Sequence, residues 1–232
     1  MSRSILVTGG FGVLGTAVAS AFLTQGARVA RVDLAPAPAR AAELPGALDL
    51  GGTDLTDPQA VAHITESVRS RFGGIDILVN VAGGFAWESV ATGSIDSWDR
   101  LYRMNLGTTV AMTQAALPYL LASPDARIIN IGAGAAIRAD AGMGAYAASK
   151  AGVHRLTESL AAELAGKQIT VNAVLPSIID TPANRADMPY ADFATWVQPV
   201  ALADVIIWLA SPAARAVTGA LIPVTRGSLS SG

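Results

Sequence analysis

The chain contains no cysteine, which excludes disulfides, a thiolate nucleophile and any cysteine-ligated metal. Its two histidines, His63 and His154, lie in different segments, so no histidine-based metal site is expected and both read as helix-surface residues. Charge is scarce. Charged residues make up 15% of the chain and the formal net charge is -2, which leaves no electrostatic footprint for nucleic acid or an anionic membrane. No stretch of about 18 uninterrupted apolar residues is present to span a bilayer, and the greasiest region, Val110 to Leu121, is interrupted by Thr113, Gln114 and Pro118. Met1-Ser2-Arg3 runs straight into apolar Ile5-Leu6-Val7, leaving no room for a signal peptide. The expectation is a soluble, cytoplasmic protein.

What is present is apolar and periodic. Hydrophobic residues make up 51% of the 232 positions, enough for a large buried core. Short apolar runs alternate with longer helical patterns from end to end, as βαβ units of a parallel sheet require. Strands are expected near 4–8, 28–33, 48–50, 75–81, 126–132, 168–174 and 220–224, and helices near 13–25, 57–71, 95–121, 142–165 and 201–210. Asp57 followed by Pro58 reads as an N-cap with proline at the first helical position. Trp98 and Trp208 fall on helices and read as core. The segment 181–199 carries prolines and aromatics with little periodicity, and reads as an irregular, substrate-covering loop.

Tyr146-Ala-Ala-Ser-Lys150 puts a phenol and an ammonium one helical turn apart, on a shared face. A cation beside the phenol favours the phenolate, moving Tyr146 toward proton exchange at neutral pH. Thr8-Gly9-Gly10-Phe11-Gly12-Val13-Leu14-Gly15 links the first strand to the first helix. Its glycines let backbone N–H groups approach a pyrophosphate at the helix N-terminus. Asp33 ends the second strand, 18 positions beyond Gly15. A carboxylate there accepts hydrogen bonds from an adenosine 2′-hydroxyl and repels a 2′-phosphate, so NAD(H) is favoured over NADP(H). Arg31 shares the face of Asp33 only if the strand continues regularly.

These motifs, in this order, resemble the short-chain dehydrogenase/reductase family over nearly the whole chain. The resemblance implies a Rossmann-type, doubly wound α/β fold, with residues 1–232 forming one dinucleotide-binding and catalytic domain. It implies that Tyr146 exchanges the substrate proton and that Lys150 contacts the nicotinamide ribose. Asp54-Leu55 resembles the family's adenine-contacting pair, with a plain turn as the alternative. Asn80-Val-Ala82-Gly83 resembles the Asn-Asn-Ala-Gly element beside the adenosine. Asn105 matches the helix asparagine whose backbone holds a water of the proton relay, unless it only stabilises a helix kink. Pro176-Ser-Ile-Ile-Asp-Thr181 resembles the Pro-Gly-x-x-x-Thr element, with Thr181 placed for the nicotinamide carboxamide. Family members assemble through long helices, so a homodimer or homotetramer is expected. No metal is implied.

The family serine, 13 positions before the tyrosine, is Ala133 here, flanked by Gly132 and Gly134. In a ketoreductase that hydroxyl polarises the carbonyl, and losing one such donor costs about 3 kcal/mol, or roughly a hundredfold in rate. Ser149 points away from the Tyr146 face by its position in the turn. A narrower resemblance, to dihydropteridine reductases, rests on the glycine spacing, the alanine at 133, Val81-Ala-Gly-Gly-Phe85 and the run Asp180-Thr-Pro-Ala-Asn-Arg185 with Met188-Pro189, Phe193 and Trp196. It implies hydride transfer to a conjugated C=N bond or an activated C=O. A general ketoreductase and a catalytically weak nucleotide-binding regulator remain as alternatives. Phe85, Trp87, Met143, Met188, Phe193 and Trp196 are candidates to wall a flat apolar pocket, and Arg138 and Arg185 to anchor a polar substrate.

Overall fold

The computed structural model describes residues 2–38 and 44–225. The strands are β1 (Ser4–Thr8), β2 (Arg28–Val32), β3 (Leu48–Leu50), β4 (Ile77–Asn80), β5 (Ala126–Ile131), β6 (Ile169–Pro176) and β7 (Leu221–Val224). The helices are α1 (Val13–Thr24), α2 (Pro58–Phe72), α3 (Ile95–Tyr102), α4 (Thr108–Ala122), α5 (Gly144–Glu163), α6 (Pro182–Asp187) and α7 (Pro199–Ala210). The strands form one seven-stranded sheet in the order β3-β2-β1-β4-β5-β6-β7, parallel throughout. Strand order reverses between β1 and β4, which opens a crevice at their carboxyl ends.

Each face of the sheet carries its own core. Ile5, Val7, Val29 and Val79 pack against α1 and α7, whereas Leu6, Ala30, Leu78 and Ile128 pack against α2, α4 and α5. That division follows the strand period of two: neighbours in sequence face opposite layers. Asp57 accepts the Gln59 N–H at 2.9 Å and Pro58 opens α2, so the cap reads as the sequence predicts.

Three expectations need correction. The helix predicted over 95–121 is divided by a π-helical turn at Arg103–Gly107, a wider turn that periodicity does not reveal. The segment 181–199 is not wholly irregular. Thr181 accepts the Asn184 N–H and Pro182 opens α6, while an isolated parallel bridge joins Ile179 to Val197. Trp98 and Trp208 are not core residues but partly exposed, with the Trp98 ring lying over Gly144 of α5. Among the described residues no helix is long and apolar enough to cross a membrane.

Candidate active site

The crevice is a cleft of about 1150 Å³, larger than the roughly 300–1,000 Å³ of a drug-sized ligand site. The glycine loop forms its floor through Gly9, Gly12, Val13, Leu14 and Gly15. Gly9 has φ +59, and a Cβ there would lie 2.9 Å from the Ala82 nitrogen; a Cβ on Gly15 would meet the Gly9 carbonyl at 2.1 Å. Only glycine permits this closeness. Gly12 caps α1 without a side-chain hydrogen bond, so the first N–H groups of a 12-residue helix are left for an anion.

Asp33, Asp54 and Leu55 line the cleft together with Ala82 and Gly83. Asp33 Oδ2 accepts the Phe11 N–H at 3.0 Å and Oδ1 accepts the Ala35 N–H at 3.1 Å. Both bonds orient the carboxylate at the strand end. Asp54 accepts the backbone and hydroxyl of Thr56, and these bonds, backbone first, hold its carboxyl below its ordinary value. Arg31 does not reach the cleft. Its guanidinium forms a two-point pair with Asp49 at 2.8 and 2.6 Å and lies 5.0 Å from the centre of the Phe11 ring. These donors are committed beneath the glycine loop.

Asn80 does not line this cleft. Its amide donates to Asn130 at 2.9 Å, and Asn130 in turn donates to Thr157, forming a buried polar chain from β4 through β5 to α5. It is Thr8 that ties the strand ends here, its hydroxyl accepting the N–H groups of Val81 and Ala82 at 2.9 and 3.0 Å. Pro176, the last residue of β6, is also buried away from the cleft wall. Thr181 lines the opposite rim. Its oxygen accepts the Asn184 N–H, which leaves the hydroxyl proton free to donate.

Tyr146 and Lys150 lie on α5 behind the lining of this cleft, against the turn that runs from Gly83 to Phe85 and against the end of β5. Lys150 is 5% exposed and donates to the Ile131 carbonyl at 2.8 Å. A Cβ on Gly83 would sit 3.3 Å from its Nζ, which places the ammonium against the cleft wall. Burial pushes Lys150 down to about 8. It also pushes the Tyr146 hydroxyl up to about 12, against the expectation that the lysine would lower it. Desolvation opposes the phenolate, and the Lys150 ammonium is engaged by the Ile131 carbonyl. The Phe85 ring meets that of Tyr146 edge to face at 4.9 Å, adding to its apolar surroundings.

Asn105 is fully buried in the π-helical turn. Its side chain accepts the Gly84 N–H at 2.8 Å and donates to the Gly84 carbonyl at 3.1 Å and to Ser149 Oγ at 2.9 Å. Its backbone carbonyl accepts from Thr109 Oγ1 at 2.8 Å. The side chain therefore clamps the 83–85 loop onto α5, a role that no spacing in the sequence suggested. Ser149 Oγ donates to the Tyr146 carbonyl at 2.7 Å, so this hydroxyl is committed inside the helix contact. Ala133 is 4% exposed at the end of β5.

A model of the short chain dehydrogenase family matches residues 3–190. The chain belongs to the short-chain dehydrogenase family. It is 32% identical over 235 residues to a 3-oxoacyl-acyl-carrier-protein reductase of Thermotoga maritima, covering 96% of both chains. It is 34% identical over 238 residues to the D-threitol dehydrogenase of Mycolicibacterium smegmatis, covering 96% of this chain and 91% of that one. Among solved structures, a 3-ketoacyl-acyl-carrier-protein reductase from Brucella melitensis complexed with NADH superposes with a TM-score of 0.87 at 28% identity, covering 97% of each chain. Ligand-free aldohexose dehydrogenase of Thermoplasma acidophilum gives the same TM-score at 26% identity, over 97% of this chain and 93% of that chain. As a short-chain dehydrogenase the protein is an NAD(P)-dependent oxidoreductase.

Several side chains lie elsewhere than the sequence suggests. Trp196, within the 181–199 segment, is buried rather than lining the cleft, and Phe193 packs on it. Arg185 is held by Asp180 through two bonds at 2.5 and 2.7 Å and stacks on Phe193; with Gln198 it draws the Asp180 carboxyl down to about 2. Arg185 is thus a loop strut rather than a free anchor. Arg138 is exposed. Phe85 does stand exposed, against Tyr146, and Trp87 is exposed over Gly142 with its Nε1 donating to the Ala141 carbonyl at 2.9 Å. His154, expected on a surface, is 3% exposed behind Ala133.

Proposed function

We propose that the protein is an NADH-dependent reductase of a conjugated C=N bond or an activated C=O bond, with a flat, dihydropterin-like compound as the most specific candidate. The observation that carries this reading is Ala133, a buried methyl group just beyond the end of β5 where the family's serine would stand, with the Ser149 hydroxyl committed to the Tyr146 carbonyl. A plain ketone builds alkoxide charge that wants a second donor. A conjugated imine spreads that charge and needs the donor less.

The bound coenzyme supplies the hydride. Around it, the glycine loop and the start of α1 bind the pyrophosphate, and Asp33 receives the ribose hydroxyls. Arg31 is withheld from a 2′-phosphate by Asp49, which supports the preference for NAD(H). Lys150 holds the nicotinamide ribose at the cleft wall, and Thr181 donates from the opposite rim. Tyr146, kept protonated by burial, donates the proton that completes reduction. Phe85 and Trp87 offer an exposed apolar surface to a flat substrate, under the cover of the 181–199 segment. Helices α3 to α5 pair with a second copy to form the oligomer, with Ile95 and Tyr102 exposed on α3.

A general ketoreductase is the second reading, favoured by relatives that are named as ketoacyl reductases and a sugar-alcohol dehydrogenase. Tyr146→Phe separates the two. Under the imine reading, the variant loses about a hundredfold on ketones and far less on a chemically activated imine. Equal loss on both favours the ketoreductase.

A further inference from the structure

The end of β5 is gripped from α5 at two points one helical turn apart. Lys150 donates to the Ile131 carbonyl at 2.8 Å, and His154 Nε2 accepts the Ala133 N–H at 3.3 Å. The imidazole fills the space beside Gly132, where a Cβ would lie 2.5 Å from Nε2. Residues four apart share a helix face, so the lysine and histidine straddle Gly132 on the same side.

We propose that His154 is a positioning residue of the reacting end, acting as a neutral hydrogen-bond acceptor that holds Ala133 while Lys150 holds Ile131. This rests on the assignment of Tyr146 and Lys150 to the reaction. The role demands the uncharged ring. A protonated imidazole has a proton on both nitrogens and accepts nothing, so it would turn a donor against the Ala133 N–H. It would also place a second cation one turn from Lys150. The charged groups that act on the ring are Lys150, Arg155 and Glu158, all on α5. The residues that follow β5 present Gly132 and Ala133 there and β6 presents Leu175, none of them titratable. Burial, then Arg155 and Lys150, lower its proton affinity, which keeps the ring neutral.

Two measurements on the full-length chain test this. In the 15N-labelled protein, the imidazole nitrogens and the Ala133 amide are followed between about pH 8 and 5, the range where histidine charges. An unprotonated Nε2 at neutral pH, with the Ala133 amide shifting as the ring titrates, is the expected result. A protonated Nε2 at neutral pH, or an Ala133 amide blind to the titration, overturns the proposal. In turnover, His154→Leu should lower kcat about tenfold at neutral pH through misplacement of the strand end, with a smaller change in KM for NADH. His154→Gln, whose amide oxygen accepts but does not titrate, should recover part of that loss and flatten the acid limb of the pH profile. A leucine variant with the wild-type kcat and pH profile contradicts the role. If the leucine variant fails to fold, the glutamine variant and the 15N titration still decide. If wild type oxidises NADH with no acceptor, the proposed activity falls, while the titration judges the clamp separately.

Discussion

Replacing Lys150 with methionine should make the protein inactive yet more stable at neutral pH. Lys150 is 5% exposed, and burial lowers its proton affinity from the ordinary 10.5 to about 8. That difference corresponds to about 3 kcal/mol at roughly 1.4 kcal/mol per pH unit. Below pH 8 both folded and unfolded chains carry the proton, so the folded state bears the whole cost of the buried charge. Between pH 8 and 10.5 the unfolded chain binds more proton than the folded one, so wild-type stability rises with pH. Above 10.5 the cost is gone. Methionine removes the charge but strands the Ile131 carbonyl, losing an acceptor's partner for about 1–3 kcal/mol. The variant should therefore be more stable than wild type by about 0–2 kcal/mol at pH 7, and less stable by about 1–3 kcal/mol near pH 11. Urea unfolding of both proteins at the two pH values measures this, since other titrating groups cancel in the difference. A stability difference that is the same at both pH values refutes the reasoning.

Two further outcomes follow from the same geometry. Ala133→Ser puts a hydroxyl where the family's serine would stand and should raise kcat/KM on an unactivated ketone by about tenfold or more; an unchanged rate means the missing donor is not limiting. Asp33→Asn removes the charge that repels a 2′-phosphate while keeping an acceptor for the Phe11 N–H, so the ratio of KM for NADPH to KM for NADH should fall about tenfold. A ratio that does not move shows that Asp33 does not govern coenzyme choice.

The sheet, its order of helices and the glycine loop were legible because each rests on local rules: apolar runs of strand length, capping residues and glycines at a turn. Asp33 was placed by its distance from the loop along a regular strand. What escaped the sequence depends on contacts between distant residues. Asn80 pairs with Asn130, 50 positions away, and no spacing announces that a residue beside the Ala-Gly turn will face away from the cleft. Arg31 faces Asp49 only because β2 and β3 are in register there. His154 reads as a surface residue on a helical pattern until β5 and β6 close over it. The proton affinity of Tyr146 rises where the sequence predicts a fall, because helical spacing places two groups near one another without saying how dry their surroundings are. The π-helical turn at Asn105 likewise has no sequence signature, although it is what aims that side chain at Gly84 and Ser149.

Substrate chemistry is the most direct measure of the account. Steady-state oxidation of NADH by the wild-type protein, with a quinonoid dihydropterin set against a panel of unactivated ketones, compares an acceptor that spreads its charge with acceptors that cannot. The account predicts a kcat/KM for the dihydropterin at least about a hundredfold above that for any of the ketones, the margin one absent donor creates. A plain ketone reduced as fast as the dihydropterin contradicts it.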